Sequence, residues 1–364
     1  MNTRQLPQIA FLGLVLLVTG CADMPKDFTL ANVTQTPKVW PSPPETPRYR
    51  YVGELVGEAN FVNRKEDTVS NTAMNVLKWM AGMFSSKQIP VVLQRPQSGM
   101  VDAEGRIYVA DVSRQAVYVF DKPGGKLEIW DMARKSAHFQ APIGIAQGKF
   151  TQGKPEASRE ILVTDAELHS VFRLDQKGEP VGEFGGDVLK RPTGLARDAR
   201  RGLIYVADTQ AHDIKVFGDD GVLQRVIGKR GEGDGEFNFP THLAFADGRL
   251  YVTDTLNSRI QVFDADGKMI TKFGQRGLYV GNLVRPKGVA VDSERNIYVI
   301  ESQYDNLLVF NSEGRTLMAL GGTGKEIGQL YLPSGVWIDN QDQVYVADMF
   351  NGRILVLQFL GGPK

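Results

Sequence analysis

The chain has 364 residues, with 42 Lys and Arg against 42 Asp and Glu. That balance leaves no excess charge to hold nucleic acid or an anionic bilayer by long-range attraction. With Cys21 as the only cysteine, no intramolecular disulfide can form.

Residues 1–20 carry Arg4, an apolar run from Ile9 to Val18, and then Thr19-Gly20-Cys21. A charged start, a short apolar middle and small residues at the end read as a signal peptide, and the run is too short to span a bilayer as a mature helix. Val18-Thr19-Gly20-Cys21 resembles the lipobox of bacterial lipoproteins, which implies lipidation of Cys21. Ala22 in place of Asp at the sorting position implies the outer membrane. Several acyl chains on one residue, each CH₂ contributing about 0.8 kcal/mol, make such an anchor stable. Six prolines between Pro25 and Pro47 favour extended polyproline II, so residues 21–47 are expected to be a lipidated cysteine and a semi-rigid tether.

The strand-like segment RYVGELVGE, 50–58, has no hairpin partner nearby, whereas the last repeat lacks an outer strand because only LGGPK follows RILVLQF. Residues 50–57 are therefore expected to complete the last blade and close the ring. In residues 66–84, Val69, Ala73, Val76, Leu77, Met80 and Phe84 recur at helical spacing, after Asp67 or Thr68 as a cap. This inserted amphipathic helix packs on the ring or, through Trp79 and Met83, docks a partner.

From there the chain repeats one unit. IYVAD, ILVTD, IYVAD, LYVTD, IYVIE and VYVAD end at Asp111, Asp165, Asp208, Asp254, Glu301 and Asp348, 43 to 54 residues apart. Each acid is followed nine residues later by Phe or Leu. In RLYVTDTLNSRIQVF both faces of both strands are partly apolar, so each sheet needs a neighbour on each side. A ring of radial sheets supplies that, and the period fits it. The expected fold is all-β, a six-bladed β-propeller over 48–364. The innermost strands open with Pro142-Ile143-Gly144, Pro192-Thr193-Gly194, Pro286-Lys287-Gly288 and Pro333-Ser334-Gly335, with an extra residue expected at Pro96-Gln97-Ser98-Gly99. In Pro240-Thr241-His242, histidine replaces the glycine. Phe237, Leu283 and Leu330, in glycine-rich loops, are placed to plug the space between blades.

The motifs P-x-G-[IV]-A, IYVAD, N-x-R-[IV]-x-V-F and F-G resemble NHL repeats. Asn257-Ser258-Arg259 and Asn351-Gly352-Arg353 match the middle motif fully. The layout of lipobox, WPSPPETPRYRYVG, short helix and six repeats is similar to bacterial lipoproteins with NHL-type propellers. The resemblance implies a fold and a location, and no activity.

The six strand-end acids are expected to cap their turns, with Asp254 and Asp348 also pairing with Arg259 and Arg353. His138, His169, His212 and His242 fall on one rim by topology. Some propellers related to NHL proteins, amidating lyases and lactonases among them, hold a metal on that rim. His169 and His212, however, sit at equivalent places in adjacent blades, too far apart to share an ion, and His242 alone faces the channel. No GxSxG elbow or phosphate-binding loop appears, and the inner strands offer mainly Met100, Ile145, Leu195, Leu243, Val289 and Val336. The expectation is a monomeric binding or scaffolding module without catalytic residues, metal or cofactor. It is held on the periplasmic side of the outer membrane and presents His242, His212, His169, His138 and Trp79 to a protein or envelope polysaccharide, not to nucleic acid. The alternative is a metal-dependent lyase or lactonase-like enzyme.

Overall fold

A computed structural model describes residues 26–62, 91–151 and 158–361. The signal peptide expected at 1–20, Cys21 and the helix expected at 66–84 with Trp79 lie outside the described residues. Six antiparallel sheets stand around one axis, and in blades 1 to 5 the strands pair in chain order from the innermost outward. Blade 1 runs from Pro96–Val101 to Lys126–Trp130, blade 2 from Pro142–Thr151 to Pro180–Phe184, and blade 3 from Pro192–Asp198 to Leu223–Ile227. Blade 4 runs from Pro240–Ala246 to Met269–Phe273 and blade 5 from Pro286–Val291 to Thr316–Gly321. The chain is thus an all-β, six-bladed propeller.

Blade 6 joins the two ends of the chain. Val336–Ile338, Gln343–Asp348 and Arg353–Phe359 are followed in space by Tyr49–Leu55, with Tyr49 opposite Phe359 and Leu55 opposite Ile354. Buried charges fix this closure: Arg353 Nη1 donates to Glu54 Oε1 at 2.7 Å and Arg353 Nε to Asp348 Oδ2 at 2.8 Å.

The alternation with period two becomes the packing between blades. Leu250, Val252 and Phe263 of blade 4 pack with Tyr205 and Val216 of blade 3. Tyr251, Ile260 and Val262 pack on the other side with Val299 and Leu308 of blade 5. One such apolar layer lies between each pair of neighbouring blades. Phe237, Leu283 and Leu330 are buried in three of these layers. Removing a buried phenyl ring such as that of Phe237 costs about 3–5 kcal/mol through lost transfer energy and the cavity left behind.

Two expectations need correction. The proline-rich stretch is not a free spacer from residue 26 onward. Asp27–Phe28 pairs with Phe61–Val62, Ala31 bridges Glu54, and Val39–Trp40 adds a fifth strand to blade 6. Apolar side chains drive this: Phe28 and Leu30 pack on the blade 6/blade 1 layer and Trp40 on the blade 5/blade 6 layer. Pro41, Pro43 and Pro44 follow the outermost strand, where no further ladder needs their missing N–H. Secondly, blade 1 has no extra residue. Pro96 lies opposite Asp111, Ser98 opposite Ala110 and Gly99 opposite Val109. Ser98 therefore takes the place of Gly144, and Gly99 that of Ile145, which pairs with Val163. Met100 lies one position deeper than the inner-wall residues first matched with it.

Candidate functional site

The six acids are fully or almost fully buried and point at the segments leading into the innermost strands. Asp111 accepts from the N–H groups of Gln94 and Arg95, Asp165 from Gln140 and Ala141, Asp208 from Lys190 and Arg191. Asp254 accepts from Asn238, Glu301 from Val284 and Arg285, and Asp348 from Tyr331. The turn contacts are also present, as in Ser113 N–H to Asp111 and Glu167 N–H to Asp165. Burial pushes the carboxyls of Asp254, Glu301 and Asp348 up, against the pull of their hydrogen bonds. With their oxygens engaged by backbone N–H groups and, in Asp208, Asp254 and Asp348, by Lys215, Arg259 and Arg353 as well, these groups hold the ring's loops.

Two histidines do similar work. Each acid turn holds one residue at positive φ, and the copies include Gln115, His169, His212, Ser258 and Asp305. Short polar side chains and histidine are enriched in that region. All five of these side chains latch a backbone group of the loop entering the next blade. Gln115 donates to Gln140 O and Ser258 to Val284 O, while His212 Nδ1 accepts from Phe239 N–H at 3.2 Å and Asp305 from Leu332 N–H. His169 Nδ1 lies 2.6 Å from Lys190 O and donates to it. His138 is exposed on a short hairpin and pairs with Asp131 at 3.1 Å. The structure does not bring the four histidines together. Among the described residues, no three His, Cys, Asp or Glu side chains stand where they could hold one ion.

His242 differs from the rest. It lines a central cavity of about 460 Å³ formed by the innermost strands of all six blades. Its Nδ1 lies 3.0 Å from Thr241 Oγ1, and its Nε2 is buried without a partner. Burial, helped by the positive charge of Lys287, lowers its pKa to about 3, so the ring is neutral.

A second cavity residue escapes a reading by motif. Trp337 lines the same cavity, is 7% exposed, and its buried Nε1–H has no acceptor. Its indole stacks on Tyr345 at 5.6 Å and 4°. Cross-strand register places it level with Ala146, Ala196, Ala244 and Ala290, each opposite the second residue of its acid strand. Room for it comes from blade 1, since a β-carbon on Gly99 would lie 2.6 Å from Trp337 Cζ2. The signal was visible: PSGVW stands against PIGIA, PTGLA, PTHLA and PKGVA.

Around the axis, the face carrying the acid turns leaves aromatic groups partly exposed. Phe350 packs on Tyr331 at 5.6 Å and under the Arg95 guanidinium at 5.0 Å. Phe239 meets the edge of His212 at 4.5 Å, and Leu256 and Tyr304 are exposed in neighbouring turns.

Residues 240–304 match a family model described as a 6-bladed beta-propeller. A stretch of 135 residues is 28% identical to Protein brain tumor of Drosophila melanogaster, covering 36% of this chain and 12% of that protein's length. Among solved structures the chain is similar to an auxiliary nutrient binding protein from Bacteroides thetaiotaomicron, with 12% identity, a TM-score of 0.56, and 74% and 70% of the two chains covered. It is also similar to virginiamycin B lyase from Staphylococcus aureus, with 15% identity, a TM-score of 0.52 and 73% and 96% coverage. A luciferin-regenerating enzyme matches at 13% identity and a TM-score of 0.53, with 74% and 92% coverage. At these identities the structural likeness concerns the fold alone.

Proposed function

We propose that this six-bladed ring, of the NHL-repeat kind, is a binding or scaffolding module. It is anchored through a lipid on Cys21 to the periplasmic side of a bacterial outer membrane and presents its acid-turn face to a protein or envelope-glycan partner. One observation carries the reading: that face leaves Phe239, Tyr331 and Phe350 partly exposed, with Arg95 over the ring of Phe350, while its carboxylates and His212 are taken up by hydrogen bonds within the ring. Aromatic and arginine side chains are the groups from which binding hot spots are built. The lyase or lactonase-like alternative finds no residue cluster to support it among the described residues.

Crosslinking in intact envelopes, followed by recovery of the chain, tests the reading. Phe239→Glu combined with Phe350→Glu is expected to lower the yield of crosslinked partner at least about tenfold with melting within a few degrees of the parent. Each hot-spot truncation removes about 2 kcal/mol or more. Equal recovery of the same partner by parent and variant would rule this face out.

A further inference from the structure

The outer edge of a sheet is a row of unpaired N–H and C=O groups on which another chain can pair, and charged side chains along it discourage that. In blades 1 to 4 the outermost strand carries charge: Lys126 and Glu128, Glu183, Arg225, and Lys272. Blade 6 is covered by the protein itself, since Val39–Trp40 pairs with the Tyr49 end of its outer strand and Ala31 bridges Glu54. Blade 5 has neither protection. Its outermost strand, Thr316–Gly321, reads TLMALG, and no further strand pairs with it among the described residues. It bulges at Leu317, is regular from Met318 to Gly321, and exposes Leu317 and Ala319.

The loop beside this strand differs from its two counterparts. Three residues stand between paired glycines in each: Glu232-Gly233-Asp234, Leu278-Tyr279-Val280 and Lys325-Glu326-Ile327. In the first, Asp234 pairs with Lys272 on the outer strand of blade 4. In the third, Lys38 donates to Ile327 O, and Trp40 packs against Gly328. The middle tip is wholly apolar, and its three residues are 76 to 85% exposed. It adjoins the bare strand, because a β-carbon on Gly281 would lie 2.2 Å from Thr316 Oγ1.

We propose that the outer edge of blade 5 is a self-association surface, on which Met318–Gly321 pairs antiparallel with the same strand of a second copy while the Leu278-Tyr279-Val280 tips flank the joint. A second copy is the occupant because it brings the matching edge and the matching tip by construction. Related by a twofold, these strands set no like charges against each other. Neighbouring strands turn by about 20–25°, so the fourth strand of a blade lies about 60–75° from the first, which lines the axis. A twofold normal to the sheet at that edge is therefore close to the direction of the ring axis. The two rings stand side by side with their acid-turn faces on one side, and both faces stay open. This joint goes beyond the reading of that face and replaces the single ring expected from the sequence.

Sedimentation equilibrium of the full-length chain in density-matched detergent tests it. Twice the single-chain mass is expected as the concentration rises. Ala319→Lys sets two ammonium groups against each other near the twofold, and Tyr279→Asp puts a charge in the apolar flank. Each is expected to weaken the dimer at least about tenfold. Val226→Lys, the same kind of change at an exposed place on the outer strand of blade 3, is expected to leave it unchanged. So is the Phe239/Phe350 variant, which separates this joint from the acid-turn face. If one of the two disruptive variants does not fold, the other decides. A single-chain mass at every concentration, or a dimer that persists in the folded disruptive variants, would overturn the proposal.

Discussion

His242 stands where the other blades carry glycine or serine, and its Cα sits 2.7 Å from where a β-carbon on Gly194 would lie. Such close approach of neighbouring inner strands explains the small residues, and the imidazole that replaces them at this place is among the groups lining the cavity. Burial favours its neutral form, which ties stability to pH with a definite sign. An unfolded histidine takes up a proton near pH 6.5, whereas the folded one does so only near pH 3. The unfolded state therefore binds more protons between those values. The stability His242 contributes is complete above pH 6.5 and is lost as the pH falls toward 3. Asp254, Glu301 and Asp348, with raised pKa values, act in the opposite direction, so the effect is best isolated by difference. The gap in melting temperature between the parent and His242→Gly is expected to shrink by about 2–4 °C between pH 7.5 and 4.5. A constant gap would show that the imidazole is not held neutral.

At the scale of the element, the N-terminal segment contributes structure from residue 26 onward. Removing 26–47 strips away the short strand at Trp40 and the packing of Phe28 and Leu30. Removing 26–55 also deletes Tyr49–Leu55, bares the edge of Arg353–Phe359 and leaves Arg353 without Glu54. Both deletions are expected to lower the melting temperature, the longer one much further. Glu54→Ala alone is expected to cost about 3–5 kcal/mol, because it strands a buried guanidinium. Equal melting of the two deletions would show that Tyr49–Leu55 adds nothing to closure. The repeat, its period and the closing strand were legible because apolar alternation and a fixed acid survive in every copy. The blade 1 register was not, because Gly99 matches the Pro-x-Gly pattern by residue type while cross-strand pairing puts Ser98 in that place. The docking of Trp40 was hidden by the prolines around it. The latching role of His212 depends on a positive φ and on an N–H in the next blade, neither of which composition displays.

At the scale of the whole molecule, the described N-terminal residues and the C-terminal strand meet on the outer part of blade 6. Tyr49 and Phe359 begin and end their strands at the end of the ring away from the acid turns. A lipid at Cys21 would tether the ring from that side and leave the aromatic face turned outward. Cys21→Ser is expected to move the protein from the detergent phase to the soluble fraction of fractionated cells, and continued partition into detergent would remove the anchor from the proposal. The joint blade also sets an order of events for newly made chain. Glu54 and Arg353 are 299 residues apart in sequence, so Tyr49–Leu55 is among the first strands to emerge and must wait unpaired until Arg353–Phe359 is finished. Blades 1 to 5 can zip up hairpin by hairpin as they appear, but closure pays the entropy of the longest loop in the molecule and comes last. A nascent chain stalled short of residue 353 would carry two open sheet edges, making it an aggregation hazard and the natural client of a holding chaperone.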